Sequence, residues 1–120
     1  MYMIVFVLDD PNQLDPVLEA WQAAGVTGIT IIESTGVHRR QAYRPGAPFM
    51  LTFHRLLGSE QESHYTLFAI VEGEEVVQRC LAATEKIVGD LDGPNTGVLA
   101  AWPLALVKGV AKPGPDQGGA

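Results

Sequence analysis

Residues 1–34 read MYMIVFVLDD PNQLDPVLEA WQAAGVTGIT IIES, and this stretch decides the fold. Tyr2 to Leu8 is an unbroken apolar run centred on Val5, Phe6 and Val7, the pattern of a strand covered on both faces. Asp10 then offers a side-chain N-cap, Pro11 suits a first helical position, and Gln13 stands where a capping box places its acceptor. Leu14, Val17, Leu18 and Trp21 fall at i, i+3, i+4 and i+7, one apolar stripe of a helix that Gly25 closes as a left-handed cap. Pro16, the sixth residue of that helix, predicts a kink or a late start. Val26 to Ser34 carries Ile29, Thr30, Ile31 and Ile32, a β-branched run that favours a second strand.

The second half repeats the plan. Tyr65 to Val71 predicts a third strand with Leu67, Phe68, Ile70 and Val71 filling both faces. Glu72, Glu74 and Glu75 then put negative charge at a helix start, where the macrodipole favours it by ~0.3–1 kcal/mol each. The helix begins near Gly73 and buries Val77, Leu81, Thr84 and Val88, with Val76, Cys80 and Ile87 beside them, before Gly89 closes it. Asp90 to Asn95 is a turn, Gly97 to Trp102 a fourth strand stopped by Pro103, and Ala105 to Val110 a short final turn or edge strand. Thr27-Gly28-Ile29 and Thr96-Gly97-Val98 are matching lead-ins to the strands that follow. Two βαβ units with right-handed crossovers predict an α+β, ferredoxin-like βαββαβ sandwich, with a four-stranded antiparallel sheet and both helices on one face. Helices on one face leave the apolar residues of the other without cover, and a second copy of the chain supplies it, so a homo-oligomer is expected.

Two segments fall outside this plan. Thr35 to Pro48 has Gly36 and Pro45-Gly46 as punctuation and no apolar periodicity, which predicts an exposed loop of a length that is usually functional. Phe49, Phe53, Leu56 and Leu57 then recur at helical spacing, favouring a short helix, with an extended arm over 49–57 as the alternative. Residues 112–120, KPGPDQGGA, hold almost nothing to bury against ~1–2 kcal/mol of backbone entropy per residue and predict a mobile tail after a single domain over 1–111.

The composition narrows the partners. The chain has 120 residues, 47% apolar and 18% charged, a globular balance that suits one core. Cys80 is the one cysteine; with no internal bridge and no secretory leader pattern, a cytoplasmic address is expected. No apolar run is long enough to span a bilayer as a helix. The net charge of −6 argues against nucleic acid, whose phosphates it would repel. Tyr65 and Phe68, on opposite faces of their strand, also lack the stacking arrangement of an RNA-binding sheet.

Few residues suggest chemistry. Cys80 on the apolar stripe reads as a core thiol and not a nucleophile. His38, His54 and His64 share no metal-ligand spacing and read as surface or loop histidines. Asp9-Asp10 and Asp90-Asp92 sit at element ends and read as caps and turns. The loop is different: Gly36, His38, Arg39, Arg40, Gln41, Tyr43 and Arg44 gather cations, donors and an aromatic ring, a set suited to an anionic ligand. No enzyme activity and no cofactor is expected.

At these positions the chain resembles the PII nitrogen-regulatory superfamily. The resemblance runs from Met1 to about Val110 on Ala24-Gly25-Val26-Thr27-Gly28-Ile29-Thr30 leading into Ile31-Ile32-Glu33, on Gly36 with the basic loop, and on Val88-Gly89-Asp90, Thr96-Gly97-Val98 and Trp102-Pro103. It implies a homotrimer of ferredoxin-like subunits, a signalling loop (the family's T-loop) over 35–48 that reports to a target protein, and a nucleotide pocket between subunits. The implied ligand-binding residues are Gly36, His38, Arg39, Arg40 and Arg44 on the loop, Gly89, Asp92, Gly93, Thr96 and Gly97 before the fourth strand, and Lys108 after it. The chain departs from the family where Gly-Phe-Gly-Arg-Gln becomes Gly36-Val37-His38-Arg39-Arg40, and where Gly-Asp-Gly-Lys becomes Asp92-Gly93-Pro94-Asn95-Thr96-Gly97, without the phosphate-binding lysine. Past the fourth strand the family's pair of basic residues is missing. These departures point away from the family's usual ATP binding and towards another nucleotide or a small anion. A CutA-like trimer, with the histidines at an intersubunit metal site, is the alternative. An acylphosphatase-type hydrolase ranks last, because Asp9-Asp10-Pro11 stands where such an enzyme needs a glycine-rich anion cradle.

Overall fold

The computed structural model describes residues 1–35 and 64–110. The loop expected beyond Thr35, the helix or arm expected over 49–57 and the tail expected over 112–120 lie outside the described residues. In chain order the elements are β1 (Tyr2–Leu8), a single 3-10 turn (Pro11–Gln13), α1 (Leu14–Ala23), β2 (Thr30–Ser34), β3 (His64–Val71), α2 (Glu74–Val88) and β4 (Val98–Pro103). The strands form one sheet in the order β2-β3-β1-β4 with every pair antiparallel. This is the ferredoxin-like βαββαβ fold.

The entry into α1 differs from a plain capped helix. Asp10 accepts from the Asn12 backbone N–H at 3.0 Å, but it caps the 3-10 turn, and α1 starts only at Leu14. Pro16 thereby becomes the third residue of α1, where a missing N–H leaves no intrahelical bond unmade. Gln13 does not close a capping box; its side-chain amide donates to the Ile87 carbonyl at 3.1 Å and ties the start of α1 to the end of α2. β2 is also shorter than the apolar run suggests. Val26 is fully buried but precedes the strand, and Gly28 at φ 63° turns the chain before Thr30. Ala105 to Val110 forms neither strand nor helix.

One face of the sheet carries the core. Ile4, Phe6 and Leu8 from β1 and Leu67, Ala69 and Val71 from β3 pack with Val17 and Trp21 of α1 and Val77 and Cys80 of α2. Full burial of α2 is confined to Val77, Cys80 and Thr84, whereas Leu81 and Val88 are half-buried. The Trp21 indole N–H donates to Thr84 Oγ1 at 2.8 Å, and that hydroxyl donates to the Cys80 carbonyl at 2.7 Å. The pair satisfies the two polar side chains that the helix interface would otherwise desolvate. The Phe6 and Trp21 rings meet at 6.4 Å between centroids, tilted by 45°.

Among the described residues no helix packs on the other face. Register sets Met3 between Ile70 and Trp102, Val5 between Phe68 and Ala100, and Val7 between Thr66 and Val98. β2 adds Thr30 opposite Phe68 and Ile32 opposite Thr66. None of these side chains is charged, yet Trp102 is 45% and Val98 63% exposed. The two-sided apolar strands of the sequence are therefore two faces of one sheet, one closed by both helices and one left open by the described residues. No helix among the described residues is long and apolar enough to cross a membrane.

Candidate functional site

At one end of the sheet the C-terminal ends of β1 and β2, the start of β3 and the loop before β4 surround a cleft of about 250 Å³. Its lining is Val7, Leu8, Asp9, Ser34, His64, Gly93, Asn95, Thr96, Gly97 and Val98. Ser34 and His64 are register partners on β2 and β3, so the segment between them leaves and rejoins the sheet at this cleft. The Ser34 hydroxyl accepts from Thr66 Oγ1 at 3.0 Å, which fixes it at the cleft wall.

The loop before β4 is held by its own short-range bonds. Leu91 N–H donates to Glu85 Oε2 at 3.0 Å, Asp92 N–H to Asp90 Oδ1 at 2.9 Å and Gly93 N–H to the Asp90 carbonyl at 2.9 Å. The Thr96 hydroxyl donates back to the Gly93 carbonyl at 3.1 Å. This is the Asx-turn chemistry that Asp favours, and it carries the chain through Asn95 in the left-handed region at φ 61°. Gly97 follows at φ 110°. A Cβ there would lie 2.5 Å from the Val7 carbonyl oxygen and 2.9 Å from the Phe6 ring, so only glycine lets the loop press against β1.

Three of the expected ligand residues, Gly93, Thr96 and Gly97, line the cleft. Gly89 stands behind it, its Cα hydrogen facing the Thr96 methyl, since a Cβ there would be 3.8 Å from that carbon. Asp92 is exposed in the turn and Lys108 is exposed beyond β4, and neither lines the cleft. Gly36, His38, Arg39, Arg40 and Arg44 lie outside the described residues. Asp9, Ser34, His64 and Asn95 join the site without having been singled out for it. His64 corrects the expectation of a surface histidine: it is the first residue of β3 and only 4% exposed.

No family model matches this chain, and no curated protein matches it.

The cleft wall offers hydroxyls, a carboxamide, an imidazole and a carboxylate, groups that recognise a ligand by hydrogen bonds. Among the described residues the side-chain cations are Arg79, Lys86 and Lys108, and none lines it. The Cys80 thiol is no part of the site; burial in the helix interface pushes it up to about 11, which keeps it protonated and unreactive. Among the described residues no group of three or more His, Cys, Asp or Glu side chains is placed to hold a metal ion.

Proposed function

We propose that this protein is a PII-like, homotrimeric cytoplasmic regulator that binds a small anionic effector, a nucleotide or a simpler anion, and relays its presence through residues 35–48 to a target protein. The observation that carries this reading is the cleft itself. It joins Ser34, which leads into that loop, and His64, where the chain re-enters the sheet, to Gly93, Thr96 and Gly97 before β4, which the resemblance assigns to the effector. A ligand seated there is in a position to bias the loop, because Ser34, the residue that leads into it, lines the cleft. The cleft also opens beside Val7 and Val98, which belong to the uncovered apolar face. Covering that face with another copy would shelter the ligand between subunits. Arg39, Arg40 and Arg44 supply the charge that selects an anion.

Isothermal titration calorimetry of the full chain against adenine nucleotides, cyclic nucleotides and bicarbonate tests the reading. Binding of at least one, weakened in Arg39→Ala and Thr96→Val, is expected. No heat and no thermal shift with any of them would overturn effector sensing.

A CutA-like metal-binding trimer ranks second, because His64 and Asp9 line one cleft. Among the described residues these two donors fall short of the four of a structural zinc site. Metal analysis of protein purified without a histidine tag separates the two readings.

A further inference from the structure

The hydroxyl protons of the cleft are committed by bonds within the protein, and this decides what each wall presents to a ligand. Thr96 Oγ1 donates its one proton to the Gly93 carbonyl at 3.1 Å, so it has only lone pairs left to offer. Asp9, at the end of β1, adds a carboxylate, which accepts and does not donate. Ser34 is the reverse case: its Oγ accepts from Thr66 Oγ1 at 3.0 Å, which leaves its own proton to give. Among the described residues the cleft therefore has a donor pole at Ser34 and an acceptor pole at Asp9 and Thr96. The sheet order keeps the poles apart, since β2 and β4 are opposite edges and stand about 14 Å from each other, three strand spacings.

We infer that the effector is a phosphate ester carrying free sugar hydroxyls, held with its anionic end towards Ser34 and its hydroxyls on Asp9 and Thr96. This rests on the effector-binding reading above and names the ligand class of the same cleft. A bare oxyanion is a poor match for the acceptor pole, where its lone pairs would meet those of Thr96 and its charge would meet that of Asp9. A hydroxyl donates to both, and its bond to a carboxylate is of the stronger, charge-assisted kind. Size agrees: at ~30 Å³ per liquid water, a cleft of about 250 Å³ holds roughly eight waters, more than one phosphate or bicarbonate displaces and enough for a sugar phosphate. An elongated ligand with an acceptor at one end and donors at the other reaches both poles, and its orientation is fixed by which end can bond where.

The test is calorimetry of the full chain with four probes: adenosine monophosphate, its analogue lacking both ribose hydroxyls, ribose phosphate and inorganic phosphate. Adenosine monophosphate, ribose phosphate or both should bind at least about tenfold more tightly than inorganic phosphate, and comparing the two tells whether the ligand class is the nucleotide or the free sugar ester. Removing the hydroxyls from adenosine monophosphate should weaken it by about tenfold or more, as for a lost hydrogen bond to a charged group. In Asp9→Ala that preference should fall towards one while the analogue binds as it does to wild type; Thr96→Val should show the same pattern more weakly. A merely structural role of either residue would weaken both ligands alike. Equal binding with and without hydroxyls, a preference that survives both substitutions, or binding of inorganic phosphate or bicarbonate alone would overturn the hydroxyl-bearing ligand while leaving anion sensing in place. No heat with any probe, adenine and cyclic nucleotides included, would overturn both.

Discussion

The two faces of the sheet are built from the same residue types and end in different states. On the closed face Phe6 and Leu67 reach zero exposure beneath two helices, and so does Trp21 of α1, which packs onto them. On the open face Val7, Ile32 and Trp102, equally apolar, remain between 41% and 47% exposed. Each tryptophan stands for its face: Trp21 is buried with its N–H bonded to Thr84, and Trp102 is half in water. The comparison teaches that apolar content does not say what a strand residue does. The closed face contributes to folding of the single chain, and the open face, which no described helix covers, is where we assign an interaction.

Truncation separates the faces most sharply. Trp21→Ala should cost about 3–5 kcal/mol in urea unfolding, whereas surface substitutions usually stay within ~0.5 kcal/mol and Trp102→Ala in the monomer should lie near that range. Equal losses would dissolve the distinction. Next, Thr84→Val leaves the buried Trp21 N–H without its acceptor and should cost about 1–3 kcal/mol by the same measurement.

Gly97→Ala tests the seam where the cleft loop meets β1. The clash with the Val7 carbonyl and the positive φ predict a loss of about 1–3 kcal/mol together with weaker effector binding in calorimetry. Gly28→Ala, which has a positive φ but no neighbour within 4 Å of the added Cβ, is the control and should cost less. On the open face, Ile32→Glu should change unfolding by less than ~0.5 kcal/mol yet lower the assembled fraction in sedimentation.

The smallest effect is pH-dependent. Folded Cys80 holds its proton to about 11 against an ordinary value of 9.0, so the unfolded chain ionises first. Stability should be intact below pH 9 and decline as pH rises from about 9 through 11, and Cys80→Ala should flatten that decline.

Much of this fold is legible in the sequence. β1 is read residue for residue, because a seven-residue apolar run bounded by Asp9-Asp10-Pro11 has few other structures open to it. The closing glycines of both helices, Gly25 and Gly89, are read correctly because a positive φ there is local chemistry. What escaped the sequence depends on contacts far along the chain. Gln13 turns to Ile87 and away from its own cap because α2 offers a free C-terminal carbonyl. Val26 is buried outside β2 because Gly28 bends the chain, which β-propensity does not register. At the candidate site, Gly93, Thr96 and Gly97 were named through the family resemblance, whereas turn chemistry gave only the bend over 90–95. Asp9, Ser34 and His64 were not, since register alone brings the ends of three strands together. His64 carried a weak signal in standing immediately before an apolar run, where strand pairing extends by one residue to Ser34.

The central claim is that the open face is covered by another copy of the chain. Sedimentation velocity of the full protein at roughly 10 μM, well above the dissociation constants of specific assemblies, tests it most directly. The account predicts a homogeneous species at a multiple of 12.9 kDa; a single species at 12.9 kDa would contradict it.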